Sequence, residues 1–153
     1  MIHKIKYIKN ENSAYLAGIV DGEGTITLTR KNKSQNRRLA ITISNNELVL
    51  LSWIKKTLGA GVIVTKKSSN KSYLPSFTYQ IHNSQAYDLL ELIAPYLRGY
   101  KRIRASLVLK NYHKLTPRNG EYTASLLDKR KKFIESFFNI KGPSTRCFDL
   151  GNF

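Results

Sequence analysis

The chain of 153 residues is 41% hydrophobic, which is enough for the core of one compact domain. Lysine and arginine number 26 against 10 aspartates and glutamates, and the formal net charge of +16 is unusual for a metabolic enzyme and typical of a protein with a polyanionic partner. No apolar run approaches the roughly 18 residues that a membrane span needs. The single cysteine argues against a Cys/His zinc cluster, and His3, His82 and His113 are too scattered to form a metal site by spacing.

The N-terminal charges have no apolar run behind them, so we expect no secretory signal peptide. The single cysteine, Cys147, cannot form a disulfide within the chain. These features predict an intracellular, reducing compartment, either the cytoplasm of a prokaryote or an organelle, rather than secretion. Nucleic acid is therefore the leading candidate partner, and no membrane partner is expected.

The first part of the chain predicts a helix, two strands and a second helix. Residues 13–22 have helical periodicity, with Ser13 as the expected cap. Residues 25–30 and 38–44 alternate polar and apolar side chains with period two, which predicts two strands paired as a hairpin. Asn46 is expected to cap the next helix, which ends at Gly59.

The remainder predicts a second hairpin followed by helices. The hairpin strands are expected at 62–66 and 76–82, and the helices at 84–97, 101–115 and 123–138. Paired strands with intervening helices indicate an α+β domain whose antiparallel sheet is covered by helices on one face.

Alternation in the first hairpin predicts one apolar and one polar sheet face. The apolar side chains expected to meet the helices are those of Ile26, Leu28, Leu39, Ile41 and Ile43. The polar side chains on the other face are those of Thr25, Thr27, Thr29, Arg38, Thr42 and Ser44. Such a face is ordinarily a solvated surface, but at this net charge its side-chain types also suit the reading of base edges in a DNA major groove.

Two of the rare acidic residues, Asp21 and Glu23, follow a strip of small residues. Ala14, Gly18 and Gly22 recur every four residues and leave one helix face nearly bare. The strip can pack against another helix of the same subunit, or against its own copy across a two-fold axis. Self-packing would gather carboxylates at two negative helix ends, a conflict that a divalent cation relieves. The alternative is that the acids are only capping and turn residues.

Residues 16–24, LAGIVDGEG, resemble the signature of the LAGLIDADG homing endonucleases. The elements that follow, including the helix end at Gly59-Ala60-Gly61 and the basic segment 101–105, extend the resemblance over about residues 13–110. The resemblance implies the αββαββα fold, with a saddle-shaped sheet lying on DNA. It also implies a single domain over residues 1–153, with a core at about 13–110 and a helical extension at about 111–153.

Single-motif members of this family are homodimers, so the one motif here implies a homodimer and a pseudo-palindromic DNA site. The implied dimer interface consists of Ala14, Ala17, Gly18, Asp21 and Gly22. The implied activity is site-specific double-strand cleavage by an intron-encoded endonuclease that hydrolyses phosphodiesters and leaves short 3′ overhangs.

Residue roles follow by position in the resemblance. Glu23 and the Gly22 carbonyl are implied to bind Mg²⁺, with Mn²⁺ or Ca²⁺ as further possible ions. Asn45 stands where relatives often have a glutamine, and Lys101 where they have a basic catalytic residue, so Glu23, Asn45 and Lys101 are the candidate catalytic residues. Arg102 and Arg104 are alternatives to Lys101, and for all three a plain phosphate contact remains open.

Candidate DNA-binding residues are spread over the predicted sheet: Thr25, Thr27, Thr29, Lys31, Arg38, Thr42, Lys66, Thr78 and Gln80. The basic run over residues 98–132 is interpreted as a set of phosphate contacts. Three rival interpretations stay open, namely an RNA-binding intron maturase, a cleavage-inactive DNA-binding regulator on the same fold, and a ribosomal-type RNA-binding protein.

Overall fold

The structure is a computed structural model that describes residues 4–67, 69–70 and 72–143. Backbone contacts divide the chain into two compact units, Met1–Arg98 and Gly99–Phe153. The expectation of a single domain with a core ending near residue 110 stays a prediction. Cys147 lies outside the described residues.

The first unit contains the predicted αββαββα order. Its elements are α1 (Asn10–Glu23), β1 (Gly24–Thr29), β2 (Arg38–Asn45), α2 (Leu48–Leu58), β3 (Val62–Lys66), β4 (Ser76–His82), α3 (Asn83–Ile93) and a short 3₁₀ helix (Ala94–Tyr96). The second unit adds α4 (Tyr100–Asn111) and α5 (Ala124–Asn139). The predicted fold class is confirmed.

The four strands form one antiparallel sheet in the order β1-β2-β4-β3. The three helices of the first unit pack against the strands. Beneath them lie the predicted apolar side chains, all at most 1% exposed: Ile26, Leu28, Leu39, Ile41 and Ile43. Burying such side chains stabilises the fold by about 1.5–3 kcal/mol each, which fixes the register and turns the polar face outward.

Helix starts differ from the sequence predictions. α1 begins at Asn10, so Ser13 lies inside the helix, is 2% exposed and donates its N–H to the Lys9 carbonyl. α2 begins at Leu48, and Asn45 rather than Asn46 accepts a hydrogen bond there, from the Glu47 N–H. The expected caps Ser13 and Asn46 were therefore wrong.

Helix ends follow the sequence signals more closely. Gly59 ends α2 with φ of 65° and donates its N–H to the Lys55 carbonyl, which is the left-handed cap that glycine allows. α3 begins one residue before the predicted Ser84 and ends at Ile93, where the 3₁₀ helix takes over.

In the second unit, α4 ends at Asn111, four residues before the predicted end, while α5 lies within one residue of its prediction. Arg130 is 4% exposed, and its Nη1 donates to the Leu115 carbonyl and to Thr116 Oγ1. Its guanidinium also lies 5.9 Å from the Tyr112 ring centroid. Arg130 is therefore a structural cation and not one of the expected phosphate contacts. No helix in the described part of the chain is long and apolar enough to cross a membrane.

Candidate functional site

Glu23 is the last residue of α1 and is exposed, and β1 starts at the next residue without a loop. The junction depends on Gly24, because a Cβ there would lie 2.7 Å from the Val20 backbone. The Gly24 N–H donates to the Val20 carbonyl and closes the helix. The last carbonyl groups of a helix have no partner within it and carry partial negative charge, so this end favours a cation.

Asn45, the last residue of β2, lies beside this carboxylate. Its Nδ2 donates to Glu23 Oε2 at 2.5 Å, while its Oδ1 accepts the Glu47 N–H at 2.8 Å. Because the backbone N–H can only donate, it fixes which end of the Asn45 amide faces Glu23. The structure thus brings together two of the three candidate catalytic residues.

The small-residue strip is an open surface. Ala14, Gly18 and Gly22 are exposed, and a Cβ built at Gly18 or Gly22 would meet no atom within 4 Å. The strip lines an open depression of about 460 Å³ whose walls include Tyr15 and Leu50. Packing within the first unit therefore does not explain the two glycines.

Two other candidate interface residues, Ala17 and Asp21, do not belong to the open strip. Ala17 is fully buried, so it belongs to the core and not to the open strip. Asp21 is half-buried, and its Oδ2 accepts the Arg98 N–H at 2.8 Å, which ties the end of α1 to the end of the first unit. Asp21 thus has a structural partner within the first unit.

The polar sheet face has the predicted composition on its first two strands. Thr25 pairs with Thr42, which pairs in turn with Gln80, and Thr29 pairs with Arg38. Opposite residues of an antiparallel pair share a face, so these side chains lie side by side. Lys31 and Lys66 are exposed, and Thr27 is half-buried.

Thr78 is the least exposed of the candidate DNA-binding residues. It is 7% exposed, and its Oγ1 shares a hydrogen bond of 2.9 Å with Ser44 Oγ. β4 lies between β2 and β3 in the sheet, and little of Thr78 is open to a ligand.

Sequence reasoning missed three residues on this face. His82 pairs with Ala40, and Val62 and Val64 pair with Gln80 and Thr78. Burial, and then the charge of Arg38, lower the pKa of His82. The alternation of side chains between the two faces, applied to β3 and β4 as it was to the first hairpin, would have placed these three residues on the polar face.

The third candidate catalytic residue, Lys101, belongs to the second unit. It lies in the first turn of α4, is 8% exposed, and its Nζ is 5.9 Å from the Tyr100 ring centroid. Of the two alternatives, Arg102 is exposed, whereas Arg104 Nε donates to the Ile140 carbonyl and its guanidinium stacks 4.8 Å from the Phe137 centroid. Arg104 is therefore held by its own unit.

Comparison with protein families matches residues 16–116 to the LAGLIDADG endonuclease model. Among solved structures, the homing endonuclease I-CvuI in complex with its target superimposes with a TM-score of 0.68 at 23% identity, covering 89% of this chain and 85% of that one. The archaeal intron-encoded homing endonuclease I-Vdi141I, complexed with DNA, gives 0.60 at 16% identity, covering 92% and 91%.

The LAGLIDADG meganuclease I-AabMI, bound to uncleaved DNA, gives a TM-score of 0.62 at 26% identity. The match covers 82% of this chain but only 44% of the meganuclease. The present chain therefore matches less than half of that longer protein.

Proposed function

Because the chain belongs to the LAGLIDADG endonuclease family, we propose that it is an intron-encoded homing endonuclease that cleaves a specific double-stranded DNA site as a homodimer. The observation that carries the proposal is the position of Glu23, an exposed carboxylate where an open small-residue strip meets a polar sheet face. Each of these three features suits one part of such an activity.

The polar sheet face is the proposed DNA-binding surface. The exposed and half-buried readers are Thr25, Thr27, Thr29, Lys31, Arg38, Thr42, Lys66 and Gln80. Their hydroxyl, amide and cationic groups suit base edges and phosphates. The net charge of +16 supplies attraction that does not depend on sequence, and each phosphate contact steepens the log–log salt dependence of binding by about 0.9.

The small-residue strip is the proposed dimer interface. Without side chains at Gly18 and Gly22, two α1 helices can approach closely about a two-fold axis. The Glu23 residues of both protomers then come together, and the two sheet faces meet two half-sites of a pseudo-palindromic target. Ala17 is left out of the proposed interface because it is buried.

The donor set at the end of α1 fits Mg²⁺ only as part of a dimer on DNA. The described part of one protomer has no cluster of three or more His, Cys, Asp or Glu side chains. Mg²⁺ at sites that act on phosphate groups is commonly bound by one or two carboxylates and completes its shell with water and substrate phosphate. One Glu23 carboxylate and one Gly22 carbonyl from each protomer match that requirement, and Mn²⁺ or Ca²⁺ accept the same oxygen ligands.

A divalent cation held there would supply Lewis-acid stabilisation of the phosphate and a more acidic water. The side chains of the chain itself position the reaction. Asn45 orients the Glu23 carboxylate by donating to Oε2, and that carboxylate would hold the cation. Lys101 is proposed to stabilise negative charge on the phosphate, and each protomer is proposed to cut one strand, leaving short 3′ overhangs.

The test is a cleavage assay on duplex DNA that spans the uninterrupted host gene, with Mg²⁺ and with EDTA. We expect a single double-strand cut in Mg²⁺ and intact DNA in EDTA. Specific binding of the duplex without cleavage in Mg²⁺ or Mn²⁺ would instead indicate the cleavage-inactive regulator. Binding of the host intron RNA in preference to the duplex would indicate the maturase.

A further inference from the structure

The β3 edge of the polar sheet face is apolar. Val62 and Val64 pair with Gln80 and Thr78 across the β3–β4 ladder, so they point to the polar face. They are 53% and 45% exposed. Ile63 between them pairs with the fully buried Tyr79 and points to the helix side. Two adjacent β-branched hydrocarbons thus face outward beside polar side chains.

The opposite edge of the sheet has a different chemistry. β1 carries threonines at its outward positions 25, 27 and 29. Threonine has nearly the same shape and strand preference as valine, so an exposed edge strand does not need valine in order to form. The choice of hydrocarbon on β3 therefore calls for an explanation other than strand stability.

The chemistry of DNA base edges supplies that explanation. A valine side chain offers no donor or acceptor, and it leaves a polar base atom unpaired when it displaces water from that atom. In the major groove, thymine is the base that presents a methyl group, at C5, and apolar side chains contact it favourably. Resting on the proposed DNA-binding function, we propose that Val62 and Val64 select thymine in each half-site by contacting its C5-methyl group.

The neighbouring side chains agree with this assignment. Gln80, the cross-strand partner of Val62, is a residue type that pairs with adenine. Val62 and Gln80 together can therefore recognise both bases of an A·T pair. Thr78 beside Val64 is only 7% exposed and is hydrogen-bonded to Ser44, whereas Val64 is 45% exposed, so the accessible group at that position is mainly hydrocarbon.

The first experiment selects bound duplexes from a randomised DNA library, using the whole protein in Ca²⁺. We expect A·T pairs to be enriched at symmetric positions in the two half-sites. The thymines of the best duplex are then replaced singly by deoxyuridine, which removes only the methyl group. Loss of a contacted methyl is expected to weaken binding about fourfold, equivalent to about 0.8 kcal/mol, and replacement of a symmetric pair about sixteenfold.

Variants assign the effect to β3. Val62→Ser is expected to bring the thymine-to-deoxyuridine affinity ratio at its position close to one, and the milder Val62→Thr to reduce it in part. Val49→Ser is the matched control, because Val49 is 80% exposed on α2 and outside the sheet. The Val49→Ser variant should keep the thymine-to-deoxyuridine affinity ratio of the wild type.

Tight binding of a selected duplex with equal affinity for thymine and deoxyuridine at every position would overturn the inference and leave the proposed function intact. A ratio that survives in Val62→Ser and Val64→Ser alike would also overturn it. Failure to select any duplex would overturn both the inference and the proposed function.

Discussion

The side-chain amide of Asn45 joins the carboxylate of Glu23 to Glu47, the residue that precedes α2. Its Nδ2 donates to Glu23 Oε2, and its Oδ1 accepts the N–H of Glu47. One residue at the end of β2 therefore holds the end of α1 and the start of α2 in a fixed relation. Removing the Asn45 amide should therefore affect the position of the Glu23 carboxylate more than the stability of the fold.

We expect Asn45→Ala to lower the cleavage rate about 10–100-fold while leaving duplex affinity within a few-fold, because partners that orient a metal ligand commonly have effects of this size. Asn45→Asp keeps the acceptor for Glu47 but sets a like charge against Glu23, so cleavage should also fall. Single-turnover cleavage and gel-shift binding measure the two effects. Asn46→Ala, at the exposed neighbour, is the control, and an equal loss in that variant would contradict the assignment.

Glu23→Gln should abolish cleavage and leave binding nearly intact, because the amide keeps the size of the side chain and loses the charge that holds a divalent cation. Cleavage in Mg²⁺ and duplex affinity are measured on the same preparation. Glu11→Gln removes an exposed acid from the first turn of the same helix and should cut normally. Undiminished cutting by Glu23→Gln would remove its proposed role.

Gly18→Leu should convert the proposed homodimer to a monomer without unfolding the protomer. The open space around a Cβ at this position means that the protomer tolerates a side chain, and a helical glycine otherwise costs about 0.5–1 kcal/mol relative to alanine. Sedimentation velocity gives the oligomeric state, and circular dichroism the melting temperature. Ser125→Leu, which adds the same side chain at an exposed position of α5, should stay dimeric. A monomeric wild type would contradict the whole arrangement.

The free energy of unfolding should fall when the pH drops below about 6.5, the ordinary pKa of histidine. Burial, and then Arg38, lower the pKa of His82, so the unfolded chain takes up a proton before the folded chain does. The stabilisation is therefore complete above about pH 6.5 and is lost progressively as the pH falls toward the lowered value. The Nδ1 atom of His82 is buried and has no hydrogen-bond partner among the described residues, so a proton on it would lack an acceptor.

Urea denaturation at a series of pH values tests this expectation. His82→Asn should flatten the decline in the unfolding free energy below pH 6.5, and Arg38→Gln should flatten it in part, since it removes the second cause. An unchanged slope in His82→Asn would show that other groups produce the decline.

The sequence predicted those features that depend on local chemistry. The alternation of Ile26 and Leu28 with threonines gave the two sheet faces correctly, and Gly59 marked the end of α2. Features decided by distant contacts were missed. α1 starts early at Asn10, and Ala17 is buried although it lies next to an open strip. Neither is visible in a pattern of small residues alone.

The same distinction applies to the candidate site. The motif singled out Glu23, whose role stays a prediction, whereas the burial of Thr78 beside Ser44 depends on the pairing of β2 with β4. Arg130 resembled any other surface cation in the sequence, and only the fold shows its side chain enclosed by Tyr112 and Tyr122. Pairing register and aromatic enclosure are tertiary properties that composition does not encode.

Because α1 passes directly into β1 at Gly24, the distance between Glu23 and the side chains of β1 is fixed by the backbone. No flexible residue separates the Glu23 carboxylate from the strand that carries Thr25, Thr27 and Thr29. If Glu23 lies at the cleaved phosphodiester bond, this fixed distance also sets the number of base pairs between that bond and the nearest recognised base. Altering which bases are recognised should then leave the length of the overhang unchanged.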